Sequence, residues 1–123
     1  MQARQVTAHF YFGALTQARR ASKLVAGATS KPAEMPKGAR YFLADDLMSG
    51  FGIDGDGTLI GVFSLIKGRG EGMVTHAIKS GARKLDCFDG FLPGYYERFG
   101  FVETERVPNW TQGEPDVVFM ALA

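Results

Sequence analysis

Apolar and polar positions divide the N-terminal third of the chain into short segments of strand-like and helix-like pattern. Residues 5–12 are rich in aromatic and β-branched side chains, which predicts a first strand. Apolar residues then recur at helical spacing, which predicts a helix over residues 14–26 that ends at Gly27. Prolines in residues 28–39 predict an irregular loop, and residues 40–44 predict a short strand.

A hairpin is predicted next. Residues 48–53 and 58–66 have strand-like composition, and residues 54–57 (Asp-Gly-Asp-Gly) lie between them. Asp-Gly pairs between β-rich segments favour a tight turn, because these residues adopt positive φ at low cost. Residues 59–66 are nearly all apolar, which predicts a strand buried on both faces.

The second half of the chain predicts a mixed α/β order of elements. The predicted elements are a glycine-rich turn at 67–72, a helix at 73–80, a strand at 84–88, a helix at 93–99 and final strands at 101–107 and 116–122. Strand, turn, helix and strand in succession form a βαβ unit, which implies parallel pairing of its two strands. With 46% apolar residues in 123, we expect a single domain over residues 1–123.

Charge and cysteine content narrow the classes of protein. Fourteen basic and thirteen acidic residues give a formal charge of +1, so we expect no nucleic-acid partner. No apolar run approaches the ~20 residues of a membrane span, and the N-terminus lacks a signal-peptide pattern. Cys87 is the sole cysteine, which excludes an internal disulfide and a cysteine-based zinc site. We therefore expect a soluble cytoplasmic protein without a membrane partner.

The glycine-rich turn is the first candidate for chemistry. Residues 67–72 (Lys-Gly-Arg-Gly-Glu-Gly) lie between a predicted strand and a predicted helix. Unpaired N–H groups at a helix start, with the helix dipole, bind phosphate, and Lys67 and Arg69 are available to add positive charge. The turn lacks the Gly-Lys-Ser/Thr ending of a Walker A loop. The alternative interpretation is a tight connection that only requires positive φ.

A second motif favours the phosphate-binding interpretation of the turn over a simple tight connection. Residues 95–101 (Tyr-Tyr-Glu-Arg-Phe-Gly-Phe) resemble the signature of the GNAT (Gcn5-related N-acetyltransferase) superfamily. The resemblance covers about residues 48–122, and residues 85–101 are similar to phage- and prophage-encoded members in particular. It implies a mostly antiparallel mixed sheet with a parallel βαβ unit and flanking helices. It also implies acetyl-coenzyme A (acetyl-CoA) as the cofactor.

The resemblance assigns the cofactor contacts. In the family the glycine-rich turn binds the pyrophosphate, and two registers fit here: Lys67, Gly70 and Gly72, or Arg69, Gly72 and Val74. Backbone N–H groups of the preceding strand hydrogen-bond the thioester oxygen. The implied cofactor-binding residues are Phe63, Ser64, Leu65, Lys67, Gly68, Arg69, Gly70, Glu71, Gly72, Met73 and Asp89.

Two features depart from the family pattern. The helix after the turn is at least one turn shorter than usual. Asp89 stands where the family commonly has an asparagine that holds the pantetheine arm or the leaving sulfur.

The resemblance implies that Tyr96 is the general acid, whose phenol protonates the departing sulfur. The alternative is a core aromatic residue with its hydroxyl at the surface. No general base is assigned among the carboxylates considered (Asp45, Asp46, Glu71 and Asp116). For His9 and His76, structural or surface roles are favoured over metal binding, because no paired ligands lie at suitable spacing.

The function implied is acetyl-CoA-dependent transfer of an acetyl group to a primary amine, on a small molecule or a peptide. One alternative is a GNAT-like domain that has lost catalysis and binds a host protein. Another is a relative that modifies nucleic-acid bases, against which the near-neutral charge argues. C-terminal edge strands make a homodimer an expectation by analogy.

Overall fold

The computed structural model describes residues 2–123, which form a mixed α+β structure of antiparallel sheets and flanking helices. In chain order the elements are β1 (Ala3–Val6), α1 (Ala8–Ala21), α2 (Lys23–Ala28), a 3₁₀ turn (Pro32–Glu34), β2 (Arg40–Ala44), β3 (Ser49–Ile53), β4 (Leu59–Ser64), α3 (Gly70–Lys79), β5 (Lys84–Phe88), α4 (Phe91–Glu97), β6 (Phe101–Val107) and β7 (Val117–Leu122). The chain divides into two compact units, the first ending at Ala82 and the second spanning Arg83–Ala123. The single domain stays a prediction.

The first unit is built on an antiparallel four-stranded sheet in the order β1-β2-β3-β4. Helix α1 packs against β2 and β4, and α3 packs against β3 and β4. Tyr11 and Leu15 from α1 meet Tyr41 from β2 and Phe63 from β4 in one apolar cluster. These four residues are at most 3% exposed, so the helix and the sheet share one buried apolar core.

The predicted first strand over residues 5–12 is wrong beyond Val6, because α1 already begins at Ala8. The Thr7 side chain accepts a hydrogen bond from the Phe10 N–H at 3.1 Å, which caps the start of α1. Tyr11 and Leu15 then fall four residues apart on the buried face of the helix. Aromatic residues that favour strands in isolation are thus placed in a helix by this cap and by core packing.

The hairpin of β3 and β4 is confirmed, but the burial predicted for residues 59–66 is wrong. β4 ends at Ser64, its middle residues are half-buried, and Leu65 and Ile66 are each 37% exposed. The fully buried strand is β3. β3 lies between β2 and β4 in the sheet, whereas β4 lies at its edge.

The second unit is an antiparallel three-stranded sheet in the order β5-β7-β6, with α4 packed against β5 and β6. The predicted strands and helix of this region are confirmed, with α4 starting two residues earlier than expected at Phe91. Gly90 precedes it with φ 129°, a conformation that favours glycine. Buried Leu85, Phe101 and Met120 form part of the core of this unit.

The parallel pairing predicted for the βαβ unit is not formed. β4 and β5 belong to different sheets, and every strand ladder within residues 2–123 is antiparallel. β5 pairs along its whole length with β7. β4 stops because the Ser64 hydroxyl donates to the Ile66 carbonyl at 2.7 Å and accepts from the Ile66 N–H at 3.0 Å, which turns the chain out of the strand.

None of the helices formed by residues 2–123 is long and apolar enough to span a membrane.

Candidate functional site

Helix α3 begins with a row of backbone N–H groups that have no partner within the helix. Arg69 is its N-cap and makes no side-chain capping bond. The Met73 N–H donates to the Arg69 carbonyl at 3.0 Å. The three N–H groups before it, of Gly70, Glu71 and Gly72, therefore have no partner within the helix. Together with the positive end of the helix dipole, they form a cradle suited to a phosphate group.

An open depression of about 600 Å³ lies beside this helix start. It is lined by Gly68, Arg69, Glu71, Gly72, Thr75, His76 and Lys79. Three of these, Thr75, His76 and Lys79, were not predicted from the sequence. Their signal was present, because they follow Gly72 at intervals of three to four residues and so share one helix face. The depression thus continues along α3 and has a lysine near its far end.

His76 also has the structural role predicted for it. Its ring lies 5.9 Å from the ring centroids of both Phe42 and Phe51. Its Nδ1 is 3.3 Å from the Ser80 hydroxyl. The same residue therefore packs on the sheet and lines the depression.

Arg69 is paired rather than free. Its two terminal nitrogens donate to the two carboxylate oxygens of Asp46, at 2.9 and 2.6 Å. The Arg69 guanidinium is the main cause that lowers the pKa of Asp46 to about 2. The positive charge expected from Arg69 beside a phosphate is thus balanced within the protein. Lys67 is exposed and does not line the depression.

Of the three backbone N–H groups predicted to bond the thioester oxygen, only that of Ser64 is free of the sheet. The Leu65 N–H donates to the Met48 carbonyl at 2.7 Å, so it is not available to a cofactor. Phe63 faces Gly50 in the same register, and alternation along an antiparallel pair directs its N–H towards β3 as well. Ser64 lies between them, so its N–H points to the outer edge of β4. No strand of residues 2–123 pairs with that edge.

Met73, which is also in the predicted cofactor-binding set, lies in the helix rather than in the cradle. Its N–H is used inside α3, and its side chain is 3% exposed in the core. Val74, which belongs to the second register of the glycine-rich turn, is 1% exposed and lies in the helix body. Neither residue lies in the cradle, whose donors are Gly70, Glu71 and Gly72.

Tyr96 in the second unit has a buried ring and an accessible hydroxyl. The residue is 8% exposed, and its ring packs edge-on against Phe101 and Tyr95. No buried side-chain oxygen or nitrogen within residues 2–123 lacks a hydrogen-bond partner. The Tyr96 hydroxyl bonds no residue of that part of the chain, so it reaches solvent. Burial, followed by the neighbouring Cys87 and Tyr95, raises the pKa of Tyr96.

Cys87 lies on β5 with its side chain turned inward. Burial is the main cause that raises the pKa of its thiol to about 11. The thiol is therefore protonated near neutral pH and is not a reactive nucleophile.

Asp89 follows β5 and is held by an ion pair. Its carboxylate lies 2.7 Å from the Arg106 guanidinium, which also contacts Glu103 at 2.9 Å and Asp116 at 3.7 Å. Arg106, and then the Gly90 N–H, lowers the pKa of Asp89. Asp89 is therefore ionised and a weak proton acceptor. Asp46 is paired in the same way with Arg69, so neither carboxylate is placed as a general base.

Within residues 2–123, no three histidine, cysteine, aspartate or glutamate side chains gather where a metal ion could bind.

Solved structures share the fold of this chain. The chain has the fold of the GNAT N-acyltransferases, as the sequence motifs predicted. An acyl-CoA N-acyltransferase from Pseudomonas aeruginosa matches it with a TM-score of 0.70 over 100% of both chains, at 15% identity. A candidate N-acetyltransferase from Lactobacillus plantarum matches with a TM-score of 0.61 over 98% of both chains, at 17% identity. No protein-family model matches the sequence, and no curated protein sequence matches it.

Proposed function

We propose that this protein is an acetyl-CoA-dependent N-acetyltransferase. The observation that carries the proposal is a phosphate cradle at the start of α3 in a chain with the N-acyltransferase fold. Tyr96 supports it, because its hydroxyl is accessible and protonated. Acetyl-CoA has the chemistry that the cradle suits, since its pyrophosphate is an anion with several acceptor oxygens.

The N–H groups of Gly70, Glu71 and Gly72 hold the pyrophosphate in this proposal. We favour the register that begins at Lys67, because its two glycines coincide with unpaired donors. In the other register Val74 would have to face the ligand, although it is 1% exposed. Gly68, with φ 88°, lets the chain turn into the helix beside the ligand.

Ser64 polarises the reacting carbonyl. Its N–H lies at the unpaired outer edge of β4, where a donor can bond the thioester oxygen. Bound acetyl-CoA supplies an acetyl group activated as a thioester. The attacking amine must be neutral, and no carboxylate with a resolved pKa shift is raised towards neutrality to take its proton.

Tyr96 is the general acid. The raised pKa keeps its phenol protonated, and its hydroxyl has no competing partner among the described residues. As the amine nitrogen bonds the acetyl carbon and the carbon–sulfur bond breaks, Tyr96 donates a proton to the departing sulfur, which leaves as a thiol. The proton that the amine nitrogen loses restores the phenol. Asp89 takes the family's asparagine position with its carboxylate held by Arg106. The acceptor is a primary amine on a small molecule or a peptide, and the protein acts in the cytoplasm as a single domain.

Tyr96→Phe tests this assignment, with Tyr95→Phe on the same helix as the matched control. Acetyl transfer would be followed across a panel of primary amines, and acetyl-CoA affinity would be measured by calorimetry. Loss of a general acid typically costs 10²–10⁴-fold, so kcat of Tyr96→Phe should fall about 100-fold or more. The Kd for acetyl-CoA should stay within about twofold, since one hydroxyl is removed.

Unchanged kcat in Tyr96→Phe would contradict the catalytic role of Tyr96. Binding of acetyl-CoA without transfer to any amine would favour the alternative of a GNAT-like binding domain.

A further inference from the structure

Asp46 and Arg69 connect two turns of the first unit. Asp46 lies between β2 and β3, and Arg69 lies 23 residues later at the start of α3. Their two hydrogen bonds, of 2.9 and 2.6 Å, form a bidentate pair. The Arg69 side chain is 25% exposed and that of Asp46 is 39% exposed. Two bonds in one plane fix direction as well as distance, which a single point contact does not.

The pair continues into the sheet through two serines. Arg69 also donates to the Ser49 hydroxyl at 3.3 Å, and Ser49 is 0% exposed. Ser49 and Ser64 share a hydrogen bond of 2.8 Å across β3 and β4. Ser64 in turn bonds both backbone groups of Ile66. The chain between Ile66 and Arg69 is therefore tied at both ends to the same hydrogen-bond network.

Asp46 is itself fixed by its own turn. Its carboxylate accepts the Met48 N–H at 3.0 Å. Hydrogen bonds within a network reinforce one another, so an ordered Asp46 orders Arg69 in turn. Arg69 is the N-cap residue, so its position determines where the N–H groups of Gly70, Glu71 and Gly72 point.

We propose that Asp46 and Arg69 are positioning residues that hold the cradle at the start of α3 in the orientation that binds the pyrophosphate. Arg69 acts through the backbone and is not itself a phosphate ligand. The inference rests on the proposed function of this cradle and extends it to two side chains. Preorganised donors bind more tightly, because the ligand does not have to order them.

The two roles of Arg69 predict opposite effects of Asp46→Asn. If Arg69 were a phosphate ligand, losing the competing carboxylate would release its charge and tighten binding. If Arg69 positions the cradle, losing the carboxylate loosens the turn and weakens binding. Arg69→Lys keeps the charge but removes the bidentate fork, so it should weaken binding as well.

Wild type, Asp46→Asn and Arg69→Lys would be compared with Asp45→Asn as the control. Asp45 is the adjacent carboxylate and pairs with Arg4 at 3.5 Å, with its side chain 66% exposed. Hydrogen exchange of the Leu65 and Met73 amides reports the order of the turn in the free protein. Calorimetry gives the Kd for coenzyme A and for inorganic pyrophosphate.

Asp46→Asn and Arg69→Lys should speed exchange at Leu65 and Met73 and weaken coenzyme A binding about tenfold, while Asp45→Asn does neither. Tighter binding by Asp46→Asn, or unchanged exchange and affinity, would overturn the inference. If the exchange responds but wild type binds neither coenzyme A nor pyrophosphate, the proposed function fails, and the role in ligand binding fails with it. Arg69→Lys keeps the test decisive if Asp46→Asn unfolds.

Discussion

At the scale of single residues, three buried tyrosines differ in where their hydroxyl groups go. Tyr11 donates to the Gly61 carbonyl and Tyr41 donates to the Pro36 carbonyl, so both hydroxyls are used inside the first unit. Tyr96 is 8% exposed, against 0% for the other two, and its hydroxyl bonds no described residue. The first two hydroxyls stabilise the fold, whereas the third is the one that the proposed function uses as proton donor.

The proposed role of Tyr96 predicts how acetyl transfer depends on pH. Burial raises the pKa of its phenol above the ordinary 10.0, so the acid form persists throughout the pH range of most assays. We expect kcat to rise with pH as the acceptor amine loses its proton and not to fall before pH 10. A pH–rate profile from 6 to 10 measures this. An alkaline decline below pH 10 in wild type, absent from Tyr96→Phe, would contradict the raised pKa.

The candidate cradle and the candidate general acid could each be proposed from residue patterns that are local in sequence. The glycine-rich turn and the motif around Tyr96 are continuous segments, so their residue types and spacing indicated them. The pairing of Arg69 with Asp46 could not be predicted from the sequence, because Asp46 lies 23 residues away in a different turn. The hydrogen bond from the Leu65 N–H to the Met48 carbonyl could not be predicted either, since it depends on the register of β3 and β4.

At the scale of elements, the junction of α1 and β4 depends on one glycine. Gly61 has φ 55°, and a Cβ built there would clash with the Tyr11 hydroxyl and lie 2.6 Å from Met35 Cε. The ladder between β3 and β4 is irregular near this point. A glycine here lets the helix pack closely on the strand and lets Tyr11 reach its carbonyl.

Gly61→Ala should therefore destabilise the protein, and Gly13→Ala should not. At Gly61 the left-handed backbone alone costs roughly 1–2 kcal/mol for an L-residue, and the clash with Tyr11 adds to it. Gly13 lies within α1 with nothing within 4 Å of its Cβ position, so alanine should stabilise by up to about 1 kcal/mol. Urea unfolding of both variants measures the opposite signs. If Gly61→Ala and Gly13→Ala changed the free energy of unfolding equally, the packing of α1 on β4 would not require a glycine at position 61.

Element types were predictable where pattern and local caps agree, and less so where tertiary structure decides. Glycine and proline residues mark the ends of β5, β6 and α4, and the bounds of these elements were predicted within about two residues. Residues 8–12 were mispredicted as strand because their aromatic content outweighed one capping residue, Thr7. The parallel pairing of β4 and β5 was inferred from order alone, and order does not determine which strand fills an edge.

At the scale of the whole molecule, the fold is preserved while the sequence is not. The chain matches the Pseudomonas aeruginosa acyltransferase over its full length at 15% identity. The family resemblance carried by two short motifs and the order of elements was enough to predict this fold. The acceptor was not predictable, since acceptor specificity depends on side chains that the shared fold does not determine.

Thermal unfolding with and without acetyl-CoA tests the central claim most directly. Ligand at about 100 times its Kd should stabilise the protein by about 2.7 kcal/mol and raise Tm by several degrees. Gly72→Leu fills the depression beside the cradle and should abolish the shift, whereas Gly13→Leu, on α1 with open space around it, should keep it. No shift in wild type at millimolar acetyl-CoA would contradict the assignment of the cradle and of the acetyltransferase function.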